Sequence, residues 1–200
     1  PYAQSQSADS SSLGSAYVIK RVNNISSPDD MIVASYVARP HSQDEFNKNL
    51  FMLADYYNAR IGFENDRGEV IAYARRHRKL HRLQEEFEML DKKDLRSKKV
   101  KRQYGMHMTE ARKRQGEIYI RDWLNTIRST NEDGTQVLNM HKIYDLALLQ
   151  ELIKFNHKGN FDRAMSLMVG MYHTREMYNS EVKEILEDNA SAEWFDNNRY

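Results

Sequence analysis

The order of its hydrophobic patterns constrains this chain most, because two strand-like runs come first and helical spacing follows. Tyr17–Val22 and Met31–Arg39 are rich in β-branched and aromatic residues, and turn-forming residues separate them. Apolar residues then recur at helical spacing over Gln43–Asn58, directly after Ser42, a favourable N-cap. Arg60–Glu64 is short and apolar and predicts a further strand. This order predicts an α/β fold with a mixed sheet flanked by helices.

The rest of the chain predicts helices around one charged segment. The predicted helices are Glu69–Arg78, Glu110–Arg128 with Thr109 as its cap, Asp145–Asn156 and Phe161–Tyr178. Residues 80–103 are highly charged and predict a basic, mostly exposed insertion, after which Tyr104–Met108 predicts a short strand. Asn131–Gly134 predicts a turn. We therefore expect one domain over residues 1–180 and an acidic tail over residues 181–200.

The charge of the chain is unevenly distributed, although its formal net charge is only +1. Residues 75–114 contain fifteen Lys or Arg but six Asp or Glu, an excess that favours binding of a polyanion. A solvated helix face is the alternative interpretation. The chain has no cysteine, so that a metal ion would need oxygen or imidazole ligands. No segment approaches the roughly 20 apolar residues that cross a bilayer, and we expect no membrane partner.

Several common catalytic motifs are absent from the sequence. It contains no Gly-x-x-x-x-Gly-Lys-Ser/Thr, which excludes a P-loop ATPase, and neither Gly-x-Gly-x-x-Gly nor Gly-x-Ser-x-Gly. His77 and His81 stand four residues apart, but the basic residues around them disfavour a zinc ion there. The remaining candidates for chemistry are separated carboxylates.

Three carboxylates stand at positions where a site could form. Glu64 ends the short apolar strand, where ligand sites of α/β sheets gather, although an ordinary turn residue is an equal explanation. Asp162 begins a predicted helix, where an aspartate also simply favours the helix dipole. Asp9 precedes the first strand within a polar, serine-rich segment. Carboxylates from distant segments suit Mg²⁺ or Mn²⁺, and two such ions can cleave a phosphodiester.

Three short motifs, in this order, resemble the C-terminal nuclease domain of the large terminase subunit of tailed bacteriophages, in particular that of crAss-like phages. The first is Pro1-Tyr2-Ala3 with the segment Asp9–Tyr17, which is similar to the family's first strand and the turn after it. The second is Ile61–Gly68, similar to the acidic motif at a strand end. The third is Leu148–Leu152 with Asn160–Met165, similar to the closing motif. The resemblance implies an RNase H-like fold.

The same resemblance implies the activity and the metal ligands. It implies an endodeoxyribonuclease that uses two Mg²⁺ or Mn²⁺ ions to cut concatemeric double-stranded viral DNA. The implied metal ligands are Asp9, Glu64, Asp162 and Asp66, of which the first three are the catalytic residues. In the family a further ligand, an aspartate, stands directly before the proline, at the position that would precede Pro1. Some relatives also carry a histidine near the last aspartate, and His157 lies in that region.

The implied partners are DNA and the packaging machinery. The residues expected to hold the DNA backbone are Arg75, Arg76, Arg78, Lys79, Lys154, Lys158 and Arg163. A packaging ATPase domain, a small terminase subunit and a portal would work with the chain in the host cytoplasm. Two alternatives stay open at this point. One is another RNase H-like nuclease, such as a junction resolvase or strand-transfer enzyme, and the other is a non-catalytic DNA-binding or assembly module.

Overall fold

A computed structural model describes residues 13–20, 30–65, 68–85, 104–156 and 159–175 of the chain. These residues form a mixed α/β structure of helices and two small antiparallel sheets. Strand β1, Gly14–Lys20, pairs antiparallel with strand β2, Met31–Ala38, and the register shifts between Val18 and Ile19. The predicted pair of strands at the front of the chain is therefore confirmed.

Helix α1, Gln43–Tyr56, begins where its cap was predicted. The Ser42 hydroxyl accepts the backbone N–H of Glu45 at 3.1 Å, which satisfies one of the unpaired donors of the first turn. The helix buries Phe46 and Phe51, and the ring of Phe46 stacks on Tyr36 of β2 with 5.1 Å between centroids. Helix α1 is thus fixed against the first sheet by aromatic contact.

The predicted strand over Arg60–Glu64 forms isolated bridges instead of joining a larger sheet. Ile61 bridges Leu83 and Glu64 bridges Met106, both in parallel orientation. The Ile61 N–H donates to the Arg82 carbonyl at 2.7 Å, and the Met106 N–H donates to the Phe63 carbonyl at 2.8 Å. Within the described residues, parallel pairing is limited to these bridges, and both two-stranded sheets are antiparallel. A continuous mixed sheet is therefore not what the described strands form.

Helix α2, Glu69–Arg76, is followed by a single 3-10 turn over Leu80–Arg82. Leu83, directly after that turn, is only 3% exposed and packs against α1 and α2. Leu83 is an exception to the expectation of a mostly exposed segment, because it completes an apolar cluster that the sequence pattern does not reveal. The greater part of the predicted insertion, residues 86–103, lies outside the described residues.

Helix α3, Glu110–Leu124, begins at the predicted cap but ends earlier than predicted. The Thr109 hydroxyl accepts the Arg112 N–H at 3.3 Å. Strand β3, Ile127–Thr130, pairs antiparallel with strand β4, Gln136–Leu138, so the prediction of a helix up to Arg128 is wrong. The predicted turn over residues 131–134 is confirmed as the tip of this hairpin, where Gly134 has a φ of +83°.

The last two helices are α4, Leu146–Lys154, and α5, whose described residues are 162–175. They pack with α3 around a first core, whose fully buried members include Met106, Leu148, Leu167, Met168 and Met171. A second core lies between α1, α2 and the segment Arg60–Glu64. Its buried members include Phe51, Ala54, Ile61, Ala74 and Leu83. In the part of the chain that the structure describes, no helix has the length and apolar character needed to cross a membrane.

Candidate functional site

A cavity of about 1130 Å³ lies where β1, α1, the segment 59–64 and α5 meet. Aromatic and aliphatic side chains from all four parts form much of its wall. Its ionisable lining includes Glu64, Lys113, Asp162 and His173. The structure therefore brings Glu64 and Asp162, which are far apart in the sequence, to the wall of one cavity.

Asp162 is the first residue of α5, and its carboxylate is fixed by neighbouring donors. Its Oδ2 atom accepts the backbone N–H of Leu13 at 2.6 Å and the side-chain amide of Asn160 at 3.3 Å. Leu13 directly precedes β1, so the carboxylate joins the start of the last helix to the start of the first strand. Both bonds use the same oxygen, and a carboxylate keeps further acceptor positions for a cation.

Glu64 is positioned by the hydrogen bonds of Asn65, the next residue. The Asn65 N–H donates to Met106 at 2.8 Å, and the Asn65 side-chain amide donates to the Tyr104 carbonyl at 3.0 Å. The half-buried Glu64 side chain therefore extends from a backbone segment that hydrogen bonds hold in place. A rigid backbone of this kind is what a binding site needs to hold a ligand group in place.

His173 is a feature of the cavity that the sequence interpretation missed. Its ring packs so closely on Gly62 that a Cβ atom at that position would overlap the ring. Burial lowers the pKa of His173 to about 4, so that the imidazole is neutral at physiological pH. A glycine within an apolar, strand-like segment often marks such a close approach, and this was the available signal. His157, which the terminase resemblance brought forward, lies outside the described residues.

A network of charged and polar groups surrounds the first turn of α5. The Tyr17 hydroxyl donates to Asp145 at 2.9 Å, and the guanidinium of Arg163 donates to the same carboxylate oxygen at 3.0 Å. Arg163 also lies 3.5 Å from the carboxylate of Glu151. Although burial alone would raise it, the pKa of the Asp145 carboxyl is held below its usual value by the Leu148 N–H, by Tyr17 and by Arg163. The Asp145 carboxylate is therefore charged within the fold.

Burial is the largest influence on the other groups of this network as well. Together with the hydrogen bond to Asp145, it raises the pKa of Tyr17, so the hydroxyl keeps its proton and acts as a donor. Burial also raises the pKa of Glu151, against two backbone N–H donors and the charge of Arg163. Arg163 was expected to contact DNA, but its side chain is only 19% exposed and is directed to these carboxylates.

The predicted DNA-binding residues on and after α2 differ in their surroundings. Arg75 and Arg78 are exposed. Arg76 is exposed as well, and makes two hydrogen bonds to Asp44, at 2.7 and 2.8 Å. Lys79 donates to Asp55 at 2.5 Å. The exposed Lys154 ends α4, far along the chain from this surface.

The donor set of the cavity fits a hard divalent cation in its chemistry. Glu64 and Asp162 supply carboxylate oxygens, the ligands that Mg²⁺ and Mn²⁺ prefer. Among the described residues, no three His, Asp or Glu side chains are grouped closely enough to hold a metal ion. The other predicted ligands, Asp9 and Asp66, lie outside the described residues, as does Lys158. The described part of the chain thus offers two of the predicted ligands.

Comparison of the chain with protein-family models, with curated proteins and with solved structures finds no match in any of the three. The terminase resemblance therefore stays a prediction that rests on its short motifs.

Proposed function

We propose that this chain is the endonuclease domain of a viral DNA-packaging terminase, has an RNase H-like fold, and cuts concatemeric double-stranded DNA with the help of divalent metal ions. The observation that supports this most is that Glu64 and Asp162 line one cavity. One carboxylate comes from a segment held by backbone bridges and the other from the start of a helix. Separated carboxylates on the wall of one cavity are what a site for phosphodiester hydrolysis requires.

The carboxylates of Asp9, Glu64, Asp66 and Asp162 would hold two Mg²⁺ or Mn²⁺ ions. Such ions, when bound, activate a water molecule and stabilise the leaving oxygen of a phosphodiester. The chain itself orients one of these carboxylates, because the Leu13 N–H fixes the Oδ2 atom of Asp162. Lys113 lines the same cavity and would attract the phosphate group.

DNA binding would depend on charge and not on base sequence. Arg75 and Arg78 are exposed, and both belong to the segment with the excess of basic residues. Lys and Arg contacts to phosphates fix the position of a protein on the duplex without reading its bases. As part of a terminase, the domain would act with a packaging ATPase, a small terminase subunit and a portal in the host cytoplasm.

Plasmid cleavage in the presence of Mn²⁺ tests the proposed function. We expect the Glu64→Ala variant to lose cleavage, because one of the metal-binding carboxylates is gone. Glu132→Ala is the matched control, since it removes an exposed carboxylate at the hairpin tip, outside the cavity. Cleavage of equal rate by wild type and Glu64→Ala would contradict the role of Glu64.

A comparison of two substrates and a binding measurement separate the alternatives. Preference for a four-way junction over linear duplex would indicate a resolvase and not a packaging nuclease. DNA binding that weakens with salt, without any metal-dependent cleavage, would indicate a binding module.

A further inference from the structure

We propose that Asp145 and Glu151, with Arg163 as the link between them, are positioning residues that hold the first turn of α5 and so fix Asp162 for metal binding. This inference rests on the proposed function, since it assigns Asp162 to the metal site. It also gives Arg163 a role other than the DNA contact that the sequence predicts.

Glu151 binds the backbone at the beginning of α5. Its Oε2 atom accepts the N–H of Arg163 at 2.9 Å and the N–H of Ala164 at 3.2 Å. Donors in the first turn of a helix have no partner within the helix, so a carboxylate there is both a cap and a favourable charge. Here the cap comes from another helix, α4, and it is attached to the residue directly after Asp162.

The guanidinium of Arg163 ties the same turn to the other end of α4. It donates to Asp145 Oδ2 at 3.0 Å and lies 3.5 Å from Glu151. All three side chains are largely shielded from solvent, with 19 to 22% of each exposed. Charge-assisted hydrogen bonds in such surroundings are stronger and more directional than surface pairs. Arg163 is therefore held in one arrangement by two carboxylates.

Strand β1 also supports the beginning of α5. The Tyr17 hydroxyl donates to Asp145 at 2.9 Å, and the Ser166 hydroxyl donates to the Ser15 carbonyl at 3.0 Å. With the bond from Leu13 to Asp162, the first two turns of α5 are attached to β1 as well as to α4. A metal ligand tolerates displacements of only about 0.5 Å, so the support of its backbone determines the affinity for the ion.

The Asp145→Asn variant tests this inference sharply. Asp145 Oδ1 also caps α4, by accepting the N–H groups of Ala147 and Leu148 at 3.0 and 3.1 Å. Asparagine caps a helix as well as aspartate does. The substitution therefore keeps the α4 cap and removes both the negative charge and the Oδ2 acceptor that Tyr17 and Arg163 share. Glu151→Gln is the second variant, and it weakens the cap of α5.

The readout is the Mn²⁺ requirement, measured both as the concentration for half-maximal plasmid cleavage and as Mn²⁺ binding without DNA. Loss of a group that supports a metal ligand typically weakens metal affinity roughly 10- to 100-fold, and we expect a rise of at least about 10-fold in both variants. DNA affinity measured in EDTA should stay unchanged, because both carboxylates are shielded from solvent and paired with Arg163. The thermal midpoint in EDTA reports the change of stability separately.

Tyr172→Phe is the matched control. It removes a hydrogen bond of 2.6 Å from the Tyr172 hydroxyl to the Arg112 carbonyl, at the far end of the same helix. It should lower the thermal midpoint and leave the Mn²⁺ requirement unchanged.

The possible failures are distinguishable. If Asp145→Asn and Glu151→Gln lose only stability, as the control does, the positioning role is refuted and the nuclease proposal stands. If the wild-type chain binds Mn²⁺ but does not cut DNA, while both variants bind Mn²⁺ more weakly, the nuclease proposal fails and the positioning role is supported. A wild-type chain that binds no Mn²⁺ overturns both.

Discussion

Acidification should destabilise this protein through His173, and the effect can be estimated from its burial. Burial lowers the pKa of His173 from 6.5 to about 4 in the folded chain. Between these two values the unfolded chain binds a proton that the folded chain does not, so stability falls as the pH falls. Each pKa unit corresponds to about 1.4 kcal/mol, which makes the loss about 3 kcal/mol between neutral pH and about pH 4. That is a large part of the 5 to 15 kcal/mol, roughly, by which domains are stable.

The assay is the free energy of unfolding by urea at a series of pH values, in EDTA so that no metal ion interferes. The His173→Gln variant has no ring to protonate, and we expect its stability to fall less steeply than that of the wild type. The difference between the two curves isolates His173, because Glu151 and the other carboxylates titrate in both proteins. His81→Gln replaces an exposed histidine and serves as the control.

Parallel curves for wild type and His173→Gln would refute this reasoning. They would mean that the ring reaches water or a counter-charge when it is protonated, at little cost to the fold. Glu64 lines the same cavity, so His173→Gln should also be compared in the Glu64→Ala background. If the single variant Glu64→Ala, which keeps His173, loses stability more steeply with falling pH than the double variant does, Glu64 is the counter-charge.

Substitutions at two further positions test the packing and the capping of α3. Gly116→Ala should lower the thermal midpoint, because the added methyl group would overlap the buried Met168. Overpacking costs typically about 1 to 3 kcal/mol, against a gain of about 1 kcal/mol in helix propensity, and a raised midpoint would contradict the contact. Thr109→Ala should cost about 1 kcal/mol by removing the cap on Arg112, whereas Thr109→Ser should not. Equal midpoints for the two Thr109 variants would show that the cap contributes nothing.

The sequence predicted those parts of the fold that depend on neighbouring residues. The start of α1 follows from Ser42 and the start of α3 from Thr109, and both caps are present. The end of α3 did not follow, because Ile127 continues the helical spacing of apolar residues. In the structure Ile127 is 51% exposed and belongs to a strand, so its place in that spacing has no structural meaning. Periodicity alone cannot separate such a coincidence from a packed face.

Contacts between distant segments determine where α3 gives way to the hairpin. Asn139 is 2% exposed, and its side-chain amide donates to the Trp123 carbonyl at 2.8 Å while its oxygen accepts from Arg128 at 2.5 Å. The Trp123 indole in turn donates to the Asp30 carbonyl at 3.1 Å. These bonds join the end of α3 to the 3-10 turn Asn139–Lys142, which follows β4, and to Asp30, which directly precedes β2. No local pattern could indicate them, because each partner alone is an ordinary polar residue.

In the candidate site, too, local sequence indicates some residues, whereas others depend on contacts between distant segments. Glu64 and Asp162 could be proposed from their positions at a strand-like end and a helix start, although neither position is specific. His173 and Glu151 could not be identified in this way. Gly62 signals a close approach without showing that His173 makes it, and Glu151 caps a helix to which it does not belong. A sequence indicates which groups can be charged, but the partner of each charge is decided by the fold.

This distinction changes the expected DNA surface. An exposed ion pair contributes about 0 to 1 kcal/mol, so Arg76 can leave Asp44 for a phosphate at little cost. The free-energy cost is larger for Arg163, because its removal from Asp145 and Glu151 would leave two shielded carboxylates without their counter-charge. We therefore expect the phosphate contacts at the exposed arginines of α2 and the turn after it, and expect Arg163 to act through the position of the helix. Substitution of Arg76 should then weaken DNA binding and reduce its salt dependence, whereas substitution of Arg163 should change the metal requirement first.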